Sequence, residues 1–575
     1  MSTTLTEPGK DAMLAEVRQR THWQDRIGHA GMLLMGCFLL LALLAPLTMV
    51  IMRCVEDRDG RFVGLANFTS YFRTPALWNS VGHSLFIAVS VTAITIPLAF
   101  TFAYALTRSC MPLKGLVRNI ALIPLLAPTL LSAVSFIYWF GNAGLLRRWT
   151  AGHSIYGAPG IIASLVYAAM PHVLMILITA LSLTDARLYE AADAMGTSRL
   201  RKFFTITLPG AKYGLISATM VVFTICVNDF GVPIVIGGSY NVLSTDVYKL
   251  IVGLQDFNTS AVVSILLLLP ALLSFATDFF VRRKQRSLLG ARSVPYEPKR
   301  SRGFDLAMLA YCSVVCFLMM AIVGISIYGS FVHFWPYNLT LGLSHYRMGL
   351  IGAGIIGAYK NSLEMAALVA TAGTMLVFGG AYLVEKTRGM DWLRPVINLC
   401  AVLPMGVPGL VLGIGYIFFF NHPANPLNFL YGSLPLLAIV TIIHYYSSSH
   451  LTAITALKQI DNEFEAVSAS LKVPFYATFF RVTVPVCLPA ILEISRYFFI
   501  NGMTTISAVA FLYSPGTQPA SVAILNLDEA GQIGPAAAMA TLIVVTSTLV
   551  CVLYALVNRF LLARTQRWRY TSRNR

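Results

Sequence analysis

The sequence predicts an all-α polytopic membrane protein, and three observations predict it. The 575 residues are 57% hydrophobic and only 12% charged, where ordinary soluble domains carry about 25% charge. The apolar residues gather in charge-poor stretches of the length, about 17–25 residues, that crosses a ~30 Å hydrocarbon core. The order of those stretches then repeats once along the chain. A soluble multidomain protein is excluded, because a chain this long needs charge to cover its surface. Disorder and fibres are excluded as well, since there is no long polar tract and no short-period repeat.

Taken in order, about twelve spans are expected. The first half holds 30–52, 82–106, 119–140, 160–183, 214–238 and 259–281. The second holds 304–330, 361–384, 396–420, 433–449, 486–510 and 534–558. Residues 1–29 form a basic, polar leader with no small-residue cleavage site after the first span, so that span reads as a retained helix. The stretch 433–449 is short and rich in Ser and Tyr. The domain reading is therefore a tail (1–29), a six-helix unit (30–281), a basic linker (282–303) and a second six-helix unit with a basic tail (304–575).

The net charge of +17 comes from 42 Lys and Arg against 25 Asp and Glu. With the N-terminus inside, 32 of the basic residues fall on the cytoplasmic side, nine fall outside, and Arg496 lies within a span. Such a bias sets topology, with both termini cytoplasmic. It also disfavours nucleic acid as a partner, because the charge is spread over every inner loop. The nine cysteines form no CxxC pair and sit mostly in spans, where Cys behaves as a small apolar residue.

The two halves match in register. His83-Ser84-Leu85 faces Asn361-Ser362-Leu363, and Ala103-Tyr104 faces Ala381-Tyr382. Pro124 and Pro128 face Pro404 and Pro408. Six spans per half is an even number, so the repeats are parallel, about an axis along the membrane normal, with a pathway expected between them. The third and ninth spans hold these prolines and Gly406, Gly409, Gly413 and Gly415, which suit close helix packing.

The longest match lies between the fourth and fifth spans of each half. Leu188-Tyr189-Glu190-Ala191-Ala192-Asp193-Ala194-Met195-Gly196 runs on to Leu208-Pro209. Phe464-Glu465-Ala466-Val467-Ser468-Ala469-Ser470-Leu471 runs on to Val484-Pro485. Each reads as a short interfacial helix capped by Asp185 or Asp461, a stop, and an amphipathic lead into the next span. Gly196 suits the left-handed position that ends a helix. The Glu-to-Pro spacing is one longer in the second copy, which implies an insertion and sets Leu471 in the place of the glycine.

This loop resembles the EAA loop of binding-protein-dependent ABC importer permeases, and the resemblance covers nearly the whole chain. It implies two six-helix permease (MetI-like) repeats and a bacterial inner-membrane location. It further implies two copies of a cytoplasmic ABC ATPase subunit docked on the loops, and a periplasmic substrate-binding protein. By resemblance the ATPase-coupling residues are Glu190, Ala191, Ala192, Gly196 and Pro209, and Glu465, Ala466, Leu471 and Pro485. Ala105–Pro112, Asp229–Lys249 and Gly409–Gly432, with the two loop regions, are similar to 2-aminoethylphosphonate permeases. That implies this cargo, with ferric iron or another small solute as the alternative.

The residues themselves carry little chemistry. No GxxxxGK[ST] phosphate loop is present; the one Gly-Lys pair is Gly9-Lys10 in the leader. The chain is thus expected to be no enzyme, with ATP hydrolysed by partner subunits, no cofactor of its own and no metal site. A secondary transporter would need coupling carboxylates in both halves, and the halves share none. Charges inside spans are functional suspects, each costing roughly 2.5–3.5 kcal/mol at the bilayer centre. Asn228 and Asp229, in a run that breaks helix propensity, are the candidate translocation path. Glu493 and Arg496 stand three apart, the spacing of a structural ion pair on one helix face. The spans hold almost no cation to meet an anionic cargo.

Overall fold

The computed structural model describes residues 23–565, apart from 183, 289–293, 295, 350–354, 388, 462 and 472. The first half runs α1 (Arg26–Cys54), α2 (Ala66–Arg73), α3 (Pro75–Arg108), α4 (Lys114–Ala121), α5 (Thr129–Phe140), α6 (Ala158–Ser182) and α7 (Ala186–Ala194). It continues through α8 (Arg199–Gly210), α9 (Lys212–Asn228), α10 (Gly231–Ile236), α11 (Leu243–Tyr248) and α12 (Phe257–Leu288). The second half runs α13 (Arg302–Phe331), a hairpin of β1 (Val332–Phe334) and β2 (Asn338–Leu341), α14 (Ile355–Lys386), α15 (Leu393–Val402), α16 (Gly409–Phe420), α17 (Leu434–His444) and α18 (Tyr446–Leu457). It ends with α19 (Glu463–Ser470), α20 (Phe475–Thr504), α21 (Ala520–Glu529) and α22 (Ile533–Thr565).

Among the described residues eight helices are long and apolar enough to span a membrane, and ten are if each bent pair counts as one. The two other expected spans, the third and the tenth, are short apolar helices at α5 and α17. Proline chemistry explains the third. The chain passes from α4 through a 3-10 turn, Ile123–Leu126, to an extended Ala127 before Pro128. Proline disfavours the helical region for the residue before it. The second copy repeats this 280 residues on, with the turn Leu403–Gly406 and an extended Val407 before Pro408. There the axis bends by 115°. The prolines thus break the span, and the glycines after them do the packing: a Cβ at Gly413 would meet the Ala508 carbonyl, and one at Gly415 the Pro46 carbonyl. The linker is also shorter than its composition suggested, because α12 runs to Leu288 and α13 starts at Arg302.

The halves interlock through their first helices. The Tyr416 hydroxyl on α16 donates to the Ala42 carbonyl on α1 at 2.7 Å. Reciprocally, the Tyr311 hydroxyl on α13 donates to Leu98 O on α3 at 2.8 Å, and Trp139 Nε1 on α5 donates to Ala321 O at 3.2 Å. At the end of the bundle away from the α7 and α19 loops, Trp335 in the hairpin donates to Ala143 O at 2.9 Å. One continuous buried apolar cluster runs through both halves.

Candidate coupling loops and translocation path

Asp185 caps α7 by accepting the Arg187 N–H at 3.1 Å, which satisfies an orphan donor of the first turn. The helix closes with a Schellman pair. Gly196 N–H donates to Asp193 O at 3.0 Å, Thr197 N–H donates to Ala192 O at 2.9 Å, and Gly196 takes a φ of +66°. In α19, Asp461 accepts the Glu463 N–H at 3.1 Å, and Val473 N–H donates to Ser468 O at 2.9 Å.

These bonds fix the register between the copies. Asp185 and Asp461, Ala192 and Ser468, Thr197 and Val473, and Pro209 and Pro485 are each 276 apart, so the loop has no insertion. Leu471 falls opposite Met195, not Gly196. The glycine's counterpart is position 472, outside the described residues. Glu190 falls opposite Ala466, and Glu465 opposite Tyr189; the side chains of Glu465 and Ala466 lie outside the described residues.

The exposed apolar side chains obey the same register. Leu188, Met195, Leu200 and Phe204 are exposed, and so are Phe464, Leu471, Tyr476 and Phe480. Glu190 and Ala191 are exposed beside them, while Ala192 packs inward. A π-helical turn follows each loop, at Phe203–Thr207 and Phe479–Thr483. The ring of Phe203 packs on Tyr104 (5.7 Å), and that of Phe479 on Tyr382 (4.6 Å). Each loop is thereby packed against a long membrane helix of its own half.

The fifth span breaks at Asp229, the C-terminal cap of α9, in an extended conformation. Its carboxylate accepts the Val232 N–H at 3.2 Å and so caps the start of α10. Its main-chain carbonyl accepts from Ser244 Oγ at 2.6 Å. Thr505 stands in the same place in the second half, extended, and its carbonyl accepts from Ser521 Oγ. Ser84 Oγ accepts the Leu243 N–H at 2.8 Å, and Ser362 Oγ the Ala520 N–H at 2.7 Å. Each half therefore pins a short returning helix, α11 or α21, to a broken fifth or eleventh span. The Asp229 carboxylate is thus engaged with backbone, whereas the neighbouring Asn228 Oδ1 is buried with no hydrogen-bond partner among the described residues. Asp229→Ala is expected to lower unfolding free energy by about 1 kcal/mol, as loss of a cap does. Asp229→Asn, which keeps an accepting oxygen, should cost much less; thermal unfolding in detergent reads the difference.

Between the halves, residues that the sequence reading did not single out meet. Glu529 of α21 and the Tyr248 hydroxyl of α11 lie within electrostatic reach of one another. Phe511 stacks on the same tyrosine at 5.8 Å, and Asp528 lies within electrostatic reach of Tyr156. Elsewhere Glu493 and Arg496 form an ion pair. Ser495 bonds Tyr554 at 2.7 Å, so this part of α20 braces α22. Glu364 pairs with Lys360 at 3.6 Å.

Two interlocked copies of one helical unit, each with an exposed amphipathic loop helix before its broken fifth span, define a duplicated membrane permease. The chain belongs to the family described as binding-protein-dependent transport system inner membrane component, which matches residues 95–289 and 359–562. It is similar to the ferric transport system permease protein FbpB of Actinobacillus pleuropneumoniae, 27% identical over 484 residues, covering 81% of this chain and 69% of that one. It is also similar to the putative ferric transport system permease protein FbpB 1 of Haemophilus influenzae, 26% identical over 454 residues, 76% and 71% of the two chains. The molybdenum transport system permease protein ModB of Escherichia coli matches over 221 residues, 27% identical, 37% of this chain and 96% of its own. The chain is a fused double permease of an ABC importer in the inner membrane. Importers of this class combine the permease with an ABC ATPase and a periplasmic binding protein.

Proposed function

We propose that this permease carries ferric iron, delivered by a periplasmic binding protein and moved by alternating access as two ATPase subunits close on α7 and α19. The chain termini then lie in the cytoplasm with the two loops, and the hairpin end faces the periplasm. The observation that carries the cargo reading is the similarity to ferric permeases over most of both chains. The seam agrees with it: Glu529, Asp528, Tyr248 and Tyr156 offer carboxylate and phenol oxygens where the halves meet. Such groups suit a cation and repel an anion. Among the described residues no three His, Cys, Asp or Glu side chains gather into a metal site, so the path offers spaced, passing contacts and tight selection falls to the binding protein.

A second cargo, 2-aminoethylphosphonate, is favoured by a different observation, the similarity of Asp229–Lys249 and Gly409–Gly432 to permeases for that compound. The two are separated by a deletion strain carrying the importer on a plasmid. Uptake of radiolabelled ferric iron that requires the permease supports the first. Growth on 2-aminoethylphosphonate as sole phosphorus source that requires it, with iron uptake unchanged, overturns the first and supports the second.

A further inference from the structure

The described residues between the halves, 294 and 296–301, make specific contacts. They lie along α7 and touch it at successive points. Val294 pairs with the start of the helix: its carbonyl accepts the Ala186 N–H at 2.9 Å, and its own N–H donates to Asp185 Oδ1 at 3.4 Å. The Tyr296 ring packs on the Tyr189 ring, 4.5 Å between centroids. The buried Arg108 guanidinium lies over both rings, 4.5 Å from Tyr296 and 5.0 Å from Tyr189. The same guanidinium donates to Leu181 O at 2.8 Å, at the end of α6.

Further on, the Lys299 ammonium bonds the Asp193 carboxylate at 2.9 Å, while Lys202 takes its other oxygen. Ser301 Oγ accepts from Arg199 at 3.2 Å. Asp305, in the first turn of α13, then accepts the Cys110 N–H at 2.7 Å and the Ser301 N–H at 3.1 Å. Val294 and residues 296–305 thus join α7 to α13, the helix of the second half that packs on α3 and α5.

We infer that Val294 and residues 296–301 act as a strap that positions the first coupling helix, with Tyr296 and Lys299 as its positioning residues, and that it transmits motion of α7 to α13 and so to the second half. The inference rests on reading α7 as a coupling helix. It ties the first loop to both halves. The two lysines hold the Asp193 carboxyl down to about 2, so the clasp stays charged over the whole range in which cells live.

The test uses the complete importer in proteoliposomes and reads both ATP hydrolysis and uptake. Lys299→Glu and Tyr296→Ala, alone and together, should lower cargo moved per ATP by at least about fivefold, the low end of ordinary coupling between sites. ATP hydrolysis and the amount of assembled complex should persist. Lys299→Arg and Tyr296→Phe should keep the normal ratio, which loss of fold would not predict. Lys299 is 80% exposed, so its substitution leaves the fold intact even where Tyr296→Ala does not. An unchanged ratio in Lys299→Glu, and in the double variant where it assembles, overturns the strap. If Glu190→Lys uncouples while these do not, the strap fails and the docking reading stands. If Glu190→Lys does not uncouple either, the docking reading itself fails.

Discussion

Glu190→Lys is expected to cut uptake by about tenfold or more while the permease still inserts and assembles, a coupling loss within the usual range between linked sites. The reason lies in what surrounds the residue. Glu190 is exposed on α7 between Leu188 and Met195, which are 55% and 76% exposed. An apolar pair of that size, left open on a loop helix, marks a contact surface. The second copy presents Phe464 and Leu471 at the corresponding positions. Charge reversal leaves the apolar contact available but sets a like or unmatched charge in the middle of it. Membrane insertion is expected not to depend on the residue, because among the described residues Glu190 makes no hydrogen bond or ion pair that holds the bundle. Register then separates the two copies. Glu465 stands opposite the buried Tyr189, one residue or about 100° of helix turn away from the Glu190 position. Glu465→Lys is therefore expected to cost distinctly less uptake than Glu190→Lys. ATPase and uptake assays on reconstituted complexes decide both; equal losses would mean that the loops dock by their glutamates irrespective of face.

Much of this architecture was legible because the chain states it twice. The matched pairs turn out to be working contacts. His83 bonds Asn241 O, and Asn361 bonds Gly516 O, each at 2.9 Å, while Ser84 and Ser362 cap the returning helices. Tyr104 and Tyr382 hold the turns after the loops. Apolar length and basic bias revealed most of the spans. The third and tenth, expected over 119–140 and 433–449, form shorter apolar helices there; in the third, a hydropathy window does not register the break before Pro128. The Glu-Ala match misled by one position, since caps rather than letters set helix register. The strap and the meeting of Glu529 with Tyr248 leave no signal at all. Lys299 and Tyr296 look like any polar linker, and their partners stand about a hundred residues earlier. Contacts between distant segments need the fold before they can be read.

The second large effect concerns the place where the broken spans meet. In the second half Gly409 opens α16 against Ser507, and a Cβ there would lie 2.3 Å from Ser507 Oγ and 3.1 Å from Ala508 N. In the first half the same contact is made the other way round. Thr129 opens α5, and Gly231 is the small partner, where a Cβ would lie 2.7 Å from Thr129 Oγ1. Each copy keeps one glycine at this crossing, on opposite sides. Gly409→Val is therefore expected to overpack it, at a cost of about 1–3 kcal/mol, and to lower both the melting temperature in detergent and uptake. Gly409→Thr should do the same. Adding Ser507→Gly to Gly409→Thr rebuilds the Thr129–Gly231 arrangement and should restore most of the loss. The two sites touch, so a double-mutant cycle should return a large favourable interaction rather than simple additivity. Additive losses would show that the crossing tolerates either size, and that the breaks in the ninth and eleventh spans are held elsewhere. A restored double variant would show that both halves close this joint by one rule, a small residue facing a larger one, and that the rule survives exchange of the partners.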